Sequence, residues 1–221
     1  LNFVHAGKTA FKIGDSSSAS KTTTKGIWMW ITGATSNDQD ITLITLDTEG
    51  FFISGHEGKH DAKVFALAIL LSTVLVYNSL PGVLDDNAIT TLTLMNRLPD
   101  IVRNLPGSSG PEDFDENVFR KLTPSFCWLL RDFERSLVDA NGLEITPLQY
   151  MEEFLQSRSG YDRKALECTR LRKILTTLFP DRMCKVLARP IFDEASIKHI
   201  GRCPPNMLRA EFLANLEDFQ N

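Results

Sequence analysis

Asp47 and Glu49, followed by Gly50, close the apolar segment ITLDTEG (44–50). Two carboxylates and a bare backbone where a strand stops admit two chemistries. One is a solvated turn, since Asp and Gly are good turn formers. The other is a nucleotide site, because ligands of parallel α/β sheets bind beyond the carboxyl ends of strands. There an Asp can hold the water shell of Mg²⁺, and a Gly lets a backbone N–H approach a terminal phosphate.

Two further stretches carry similar alternatives. In TTTKGIWMW (22–30) a threonine-rich loop precedes an aromatic strand. It is either solvated, or a threonine there gives Mg²⁺ a hydroxyl oxygen. In LLRDF (129–133) Asp132 ends another apolar run. It is either an Arg–Asp pair at a helix start, favoured by the helix dipole, or a base reader. A carboxylate can accept from N1–H and N2–H of guanine, whereas adenine presents an acceptor at N1. Gly7-Lys8-Thr9 matches the second half of G-x-x-x-x-G-K-[ST]. The first glycine would fall at Asn2, no apolar strand precedes it, and Gly14 with a serine run follows, so it is not expected to cradle phosphate.

The elements that must position these groups follow from periodicity and punctuation. Strands are expected at 26–32 and 41–46, joined by TGATSNDQD as an antiparallel hairpin. The apolar run VFALAILLSTVLVYNS (64–79) is too short and interrupted to span a bilayer; it reads as a helix over 62–71 and a strand over 73–77. Apolar residues from Ile89 to Leu105 at spacings of three and four predict one helix over about 85–104. A surface loop (106–117), a strand (125–133), helices at 147–157 and 163–178, a strand at 183–190 and a helical tail complete the order. Alternating strands and helices indicate an α/β fold with a mostly parallel central sheet flanked by helices.

The 221 residues suffice for one sizeable domain, and 43% hydrophobic content suits a globular core. A net charge of −4 and a pI near 5.6 give no support to bulk attraction for nucleic acid. Cys127, Cys168, Cys184 and Cys203 form no metal pattern and read as reduced thiols in a cytosolic compartment. The chain opens without Met and without a signal peptide.

In this order, a threonine loop, a strand-end D-x-x-G and a strand-end acidic base reader are the parts of a GTPase. The chain resembles the GTPase domain of the guanylate-binding protein and atlastin branch of the dynamin superfamily, closest to guanylate-binding proteins. TKGIWMW, LDTEG, FALAILLSTVLVYNS, FCWLLRDF, TPLQYMEEFL and LFPDRMCKVLARP carry the resemblance over most of the chain. It implies a P-loop NTPase fold of the large-GTPase type, filling residues 1–221, with about 193–221 as its helical end. It implies that Thr24 coordinates Mg²⁺, that Thr22 helps place the attacking water, and that Asp47 holds Mg²⁺ through water. Glu49 would join the catalytic water network, and the Gly50 N–H would meet the γ-phosphate. Arg131 and Asp132 would read guanine, and Arg189 and Pro190 would open the guanine-cap region of a face-to-face homodimer. The implied ligands are GTP and GDP with Mg²⁺. The implied location is cytoplasmic, with any membrane association supplied by regions outside these residues.

Two departures stand out. Family members carry their phosphate loop just upstream of a Leu/Met-Asn pair, and this chain begins at Leu1-Asn2, so an N-terminally truncated G domain is expected. Leu129 stands where guanylate-binding proteins often have Thr. The competing reading is a catalytically inactive interaction module of the same fold. Thr24 and Glu49 are expected on polar loops, where substitutions cost about 0.5 kcal/mol.

Overall fold

The computed structural model describes residues 24–32, 42–50, 58–79, 83–97, 123–156, 160–197, 200 and 203–220. The Gly7-Lys8-Thr9 tripeptide, Thr22, the hairpin turn and the 106–117 loop lie outside them.

Strand β1 (Ile27–Thr32) pairs antiparallel with β2 (Leu43–Thr48), Ile27 opposite Thr48 and Trp28 opposite Asp47. The pairing is the one expected. Helix α1 (Gly58–Leu71) follows, and places Ala62, Phe65, Ala66 and Ile69 on one buried stripe. Ser72 turns its hydroxyl back onto the Ala68 carbonyl at 2.7 Å where the helix stops. Strand β3 (Val74–Ser79) then runs parallel to β4 (Ser125–Arg131), and β4 parallel to β5 (Arg182–Leu187), in the order β3-β4-β5. This is the parallel sheet that the alternation of elements implies. The hairpin forms a separate two-stranded sheet among the described residues.

β4 lies in the middle and is buried on both faces, which explains its continuous apolar run. Phe126, Trp128 and Leu130 are fully buried with Ile69 of α1, Met151 of α3 (Pro147–Gln156), and Leu171 and Leu175 of α4 (Arg163–Leu178). Trp128 meets Tyr77 edge-on at 5.6 Å and Phe154 at 6.0 Å, and its indole N–H donates to the Ser79 hydroxyl at 2.9 Å. Each such side chain contributes about 1.5–3 kcal/mol of burial. Helix α4 starts where Asp162 accepts the Ala165 N–H at 2.8 Å, as an N-cap should.

Three expectations are corrected. The helix expected over 85–104 is a short α2 (Asp86–Thr90) that tightens into a 3₁₀ helix, Thr91–Arg97, with 98–104 outside the described residues. The Thr90 hydroxyl donates to the Asn87 carbonyl at 2.8 Å and the Thr93 hydroxyl to the Thr90 carbonyl. The strand expected to reach residue 133 ends at Arg131, because Asp132 turns left-handed at φ 54°. The last strand ends at Leu187, short of residue 190. The tail is helical in pieces: α5 (Glu194–Ile197), a 3₁₀ turn (Pro205–Met207) and α6 (Ala210–Gln220).

Candidate functional site

The residues singled out in the sequence fall into two groups. The first is built at the foot of the hairpin, where β1 begins and β2 ends. Thr24 lies just before β1 and Asp47 near the end of β2, and the Thr24 hydroxyl donates to Asp47 Oδ2 at 2.6 Å. Two residues after Asp47, Glu49 folds back over Gly26. Its N–H donates to the Gly26 carbonyl at 2.9 Å, and its Oε2 accepts the Gly26 N–H at 3.1 Å. Gly26 has φ +68°, a conformation that side chains rarely adopt. That twist lets both its backbone groups face Glu49. Glu49 Oε1 in turn meets His60 Nε2 in the first turn of α1.

Thr24 and Glu49 are only 8% and 4% exposed. Both lie outside the strands as expected, but their side chains are buried and bonded across the hairpin, which corrects the expectation that substitutions there have only surface-type costs. His60 was missed in the sequence, because nothing local marks a histidine eleven residues beyond a glutamate as its partner. Its position has a structural consequence. No hairpin residue belongs to the main buried cluster among the described residues, and Met29, Ile31 and Ile44 are exposed. α1 does belong to that cluster. The Glu49–His60 contact therefore links the foot of the hairpin to the core. Gly50 follows directly and is exposed.

Oxygen donors alone make up the Thr24–Asp47 pair, which suits a hard cation. Among the described residues no cluster of three His, Cys, Asp or Glu side chains converges as a metal cage. A two-oxygen set fits Mg²⁺ in particular, which keeps several waters and is completed by substrate phosphates rather than by an all-protein cage.

The second group lies at the carboxyl edge of the parallel sheet. Ser79 is level with Leu130, and Arg131 with Leu187, so β3, β4 and β5 end together. Asp132 leaves this edge exposed, and the next N–H, of Phe133, donates to the Leu187 carbonyl at 3.0 Å. No helix starts at Asp132; the chain runs through a loop to α3. The helix-start reading of LLRDF is therefore withdrawn. Arg189 and Pro190 stand just beyond β5, in the neighbouring loop. The structure thus joins Thr24, Asp47 and Glu49 at the foot of the hairpin, and sets Arg131 at the end of β4 with Asp132, Arg189 and Pro190 on the adjacent loops beyond β4 and β5.

A family model of the guanylate-binding protein N-terminal domain matches residues 1–221. The chain belongs to the guanylate-binding protein family. It is 32% identical to guanylate-binding protein 2 of Rattus norvegicus over 222 aligned residues, covering 99% of this chain and 36% of that protein. It is 34% identical to guanylate-binding protein 7 of Homo sapiens over 200 residues, covering 90% of this chain and 31% of the relative. The chain spans about a third of the length of the curated relatives it matches. Membership agrees with the mostly parallel α/β sheet. No helix among the described residues is long and apolar enough to cross a membrane.

Proposed function

We propose that the protein containing this chain binds GTP and hydrolyses it with Mg²⁺ as a guanylate-binding-protein GTPase, and that this chain supplies the metal-holding, water-placing and base-reading residues of its G domain. The observation that carries the reading is the Thr24–Asp47 pair, held at 2.6 Å beside the buried Glu49. Phosphoryl transfer needs positioning and charge stabilisation more than covalent chemistry, and this cluster is fixed from both strands and from α1. Thr24 and Asp47 would hold Mg²⁺, which neutralises charge developing on the phosphates. Thr22 and Glu49 would place the attacking water. A carboxylate offers about four lone-pair sites, so Glu49 can accept from water besides the Gly26 N–H and His60. The exposed Gly50 N–H would meet the γ-phosphate. Arg131 and Asp132 would read guanine, and Arg189 and Pro190 would open a cap through which two G domains pair.

The test is phosphate release from GTP and from ATP by the longest natural protein that contains this chain, beside Asp47→Ala. The expected result is GTP turnover reduced at least about a hundredfold by the substitution. Turnover indifferent to Asp47 or to the base would overturn the reading. Nucleotide-independent partner binding without turnover would favour an inactive interaction module. Sedimentation with and without a non-hydrolysable GTP analogue tests the pairing.

A further inference from the structure

Arg209 precedes α6 and gathers the two loops at the carboxyl edge of the sheet. Its backbone N–H donates to the Pro190 carbonyl at 2.9 Å, and its carbonyl accepts the Leu213 N–H at 3.1 Å, starting the helix. Its side chain is 20% exposed. Nη1 lies 3.2 Å from Glu134 Oε1 and 3.2 Å from the Arg189 carbonyl. Nη2 donates to Glu211 Oε2 at 2.7 Å, and the guanidinium stacks 4.2 Å from the centre of the Phe192 ring. A second tether lies beside it: the Ala188 N–H donates to Asn215 Oδ1 of α6 at 2.9 Å.

We infer that Arg209 is a positioning residue for base recognition, setting Asp132 against the loop that follows β5. The inference rests on the reading of Asp132 as the guanine reader. Asp132 is exposed, so its direction is set by what holds the backbone around it. On its far side that is Phe133, buried and bonded to Leu187, and then Glu134, held by Arg209. The Arg189–Phe192 loop is held by the same guanidinium. Magnitude separates this role from a stability role. Ion pairs with partners as exposed as Glu134 and Glu211, at 55% and 60%, are individually worth about 0–1 kcal/mol. A planar fork that bridges two loops and stacks on a ring instead fixes geometry, which an ammonium cannot copy.

The readout is the ratio of dissociation constants for ITP and GTP in the longest natural protein containing this chain. Inosine lacks the 2-amino group, so the ratio reports the Asp132 contact and is insensitive to the phosphate side. Arg209→Ala and Glu134→Ala are each expected to lower it at least fivefold, equivalent to about 1 kcal/mol. Arg209→Lys should recover less than half of the loss. Adding Arg209→Ala to Asp132→Ala should lower the ratio no further. A wild-type preference for GTP that survives both Arg209→Ala and Glu134→Ala overturns the inference and leaves the base reading standing. A wild-type protein that does not prefer GTP over ITP overturns the base reading, and the inference with it.

Discussion

Replacing Glu49 with Ala should open the hairpin without unfolding the core. Glu49 uses both carboxylate oxygens, one on the Gly26 N–H and one on His60. A hydrogen bond to a charged group contributes about 1.5–3 kcal/mol, and because Gly26 is only half-buried the lower end of that range applies. The His60 side chain is 50% exposed, so its share is small, at most about 0.5 kcal/mol. The loss should therefore be near 2 kcal/mol, which is about a thirtyfold change in an opening equilibrium. Because no described hairpin residue enters the main buried cluster, that loss should appear as local opening. Hydrogen exchange followed by mass spectrometry is the assay, comparing peptides over 26–32 and 43–49 with one over 125–131. The hairpin peptides should exchange about thirtyfold faster while β4 is unchanged. Glu49→Gln, which keeps an acceptor for Gly26, should change exchange by less than about fivefold. Unchanged hairpin exchange in Glu49→Ala, or equal acceleration of β4, would refute the view that this carboxylate anchors a separate unit.

Asp132→Asn should leave the urea midpoint within about 0.5 kcal/mol, since Asn also tolerates the left-handed backbone and no helix needs a cap there. The same substitution should shift preference from GTP towards XTP, measured by competition; an unchanged ratio would count against base reading. Burial pushes the Cys127 thiol up to about 11 despite the opposing charge of Lys185, and the Cys184 thiol up to about 12, to which Cys127 adds. Both would ionise near 9 in the unfolded chain, which therefore holds fewer protons than the folded one above that pH. Stability should fall as pH rises from 9 towards 11, by about 1.4 kcal/mol per pH unit for each thiol. A Cys127→Ala/Cys184→Ala variant should show a flatter alkaline decline in urea unfolding, and an equally steep one would refute the assignment. Arg172 is buried, donates to Asp86 Oδ1 at 2.6 Å and lies over the Phe154 ring at 4.6 Å. Asp86→Ala should cost about 2 kcal/mol in urea unfolding, below the range for fully buried pairs because Asp86 is itself partly exposed.

Short-range physics was legible in the sequence. Helix α4 falls on the expected 163–178, and the strands expected at 26–32 and 41–46 pair as a hairpin, the second of them two residues later, at 43–48. The apolar run of β4 was legible as a strand, and Asp47 falls near the end of β2, which runs on to Thr48 instead of stopping at residue 46. These are consequences of periodicity and chain punctuation, which act over a few residues. The tertiary structure decided what such patterns cannot carry. Thr24 and Glu49 look like loop residues until each is seen against its partner across the hairpin, 23 positions away. His60 gains meaning only when α1 packs beside β2, and Arg209 only when α6 reaches the loops after β4 and β5. A polar side chain and its partner can be separated by any length of chain, so their pairing leaves no period in the sequence.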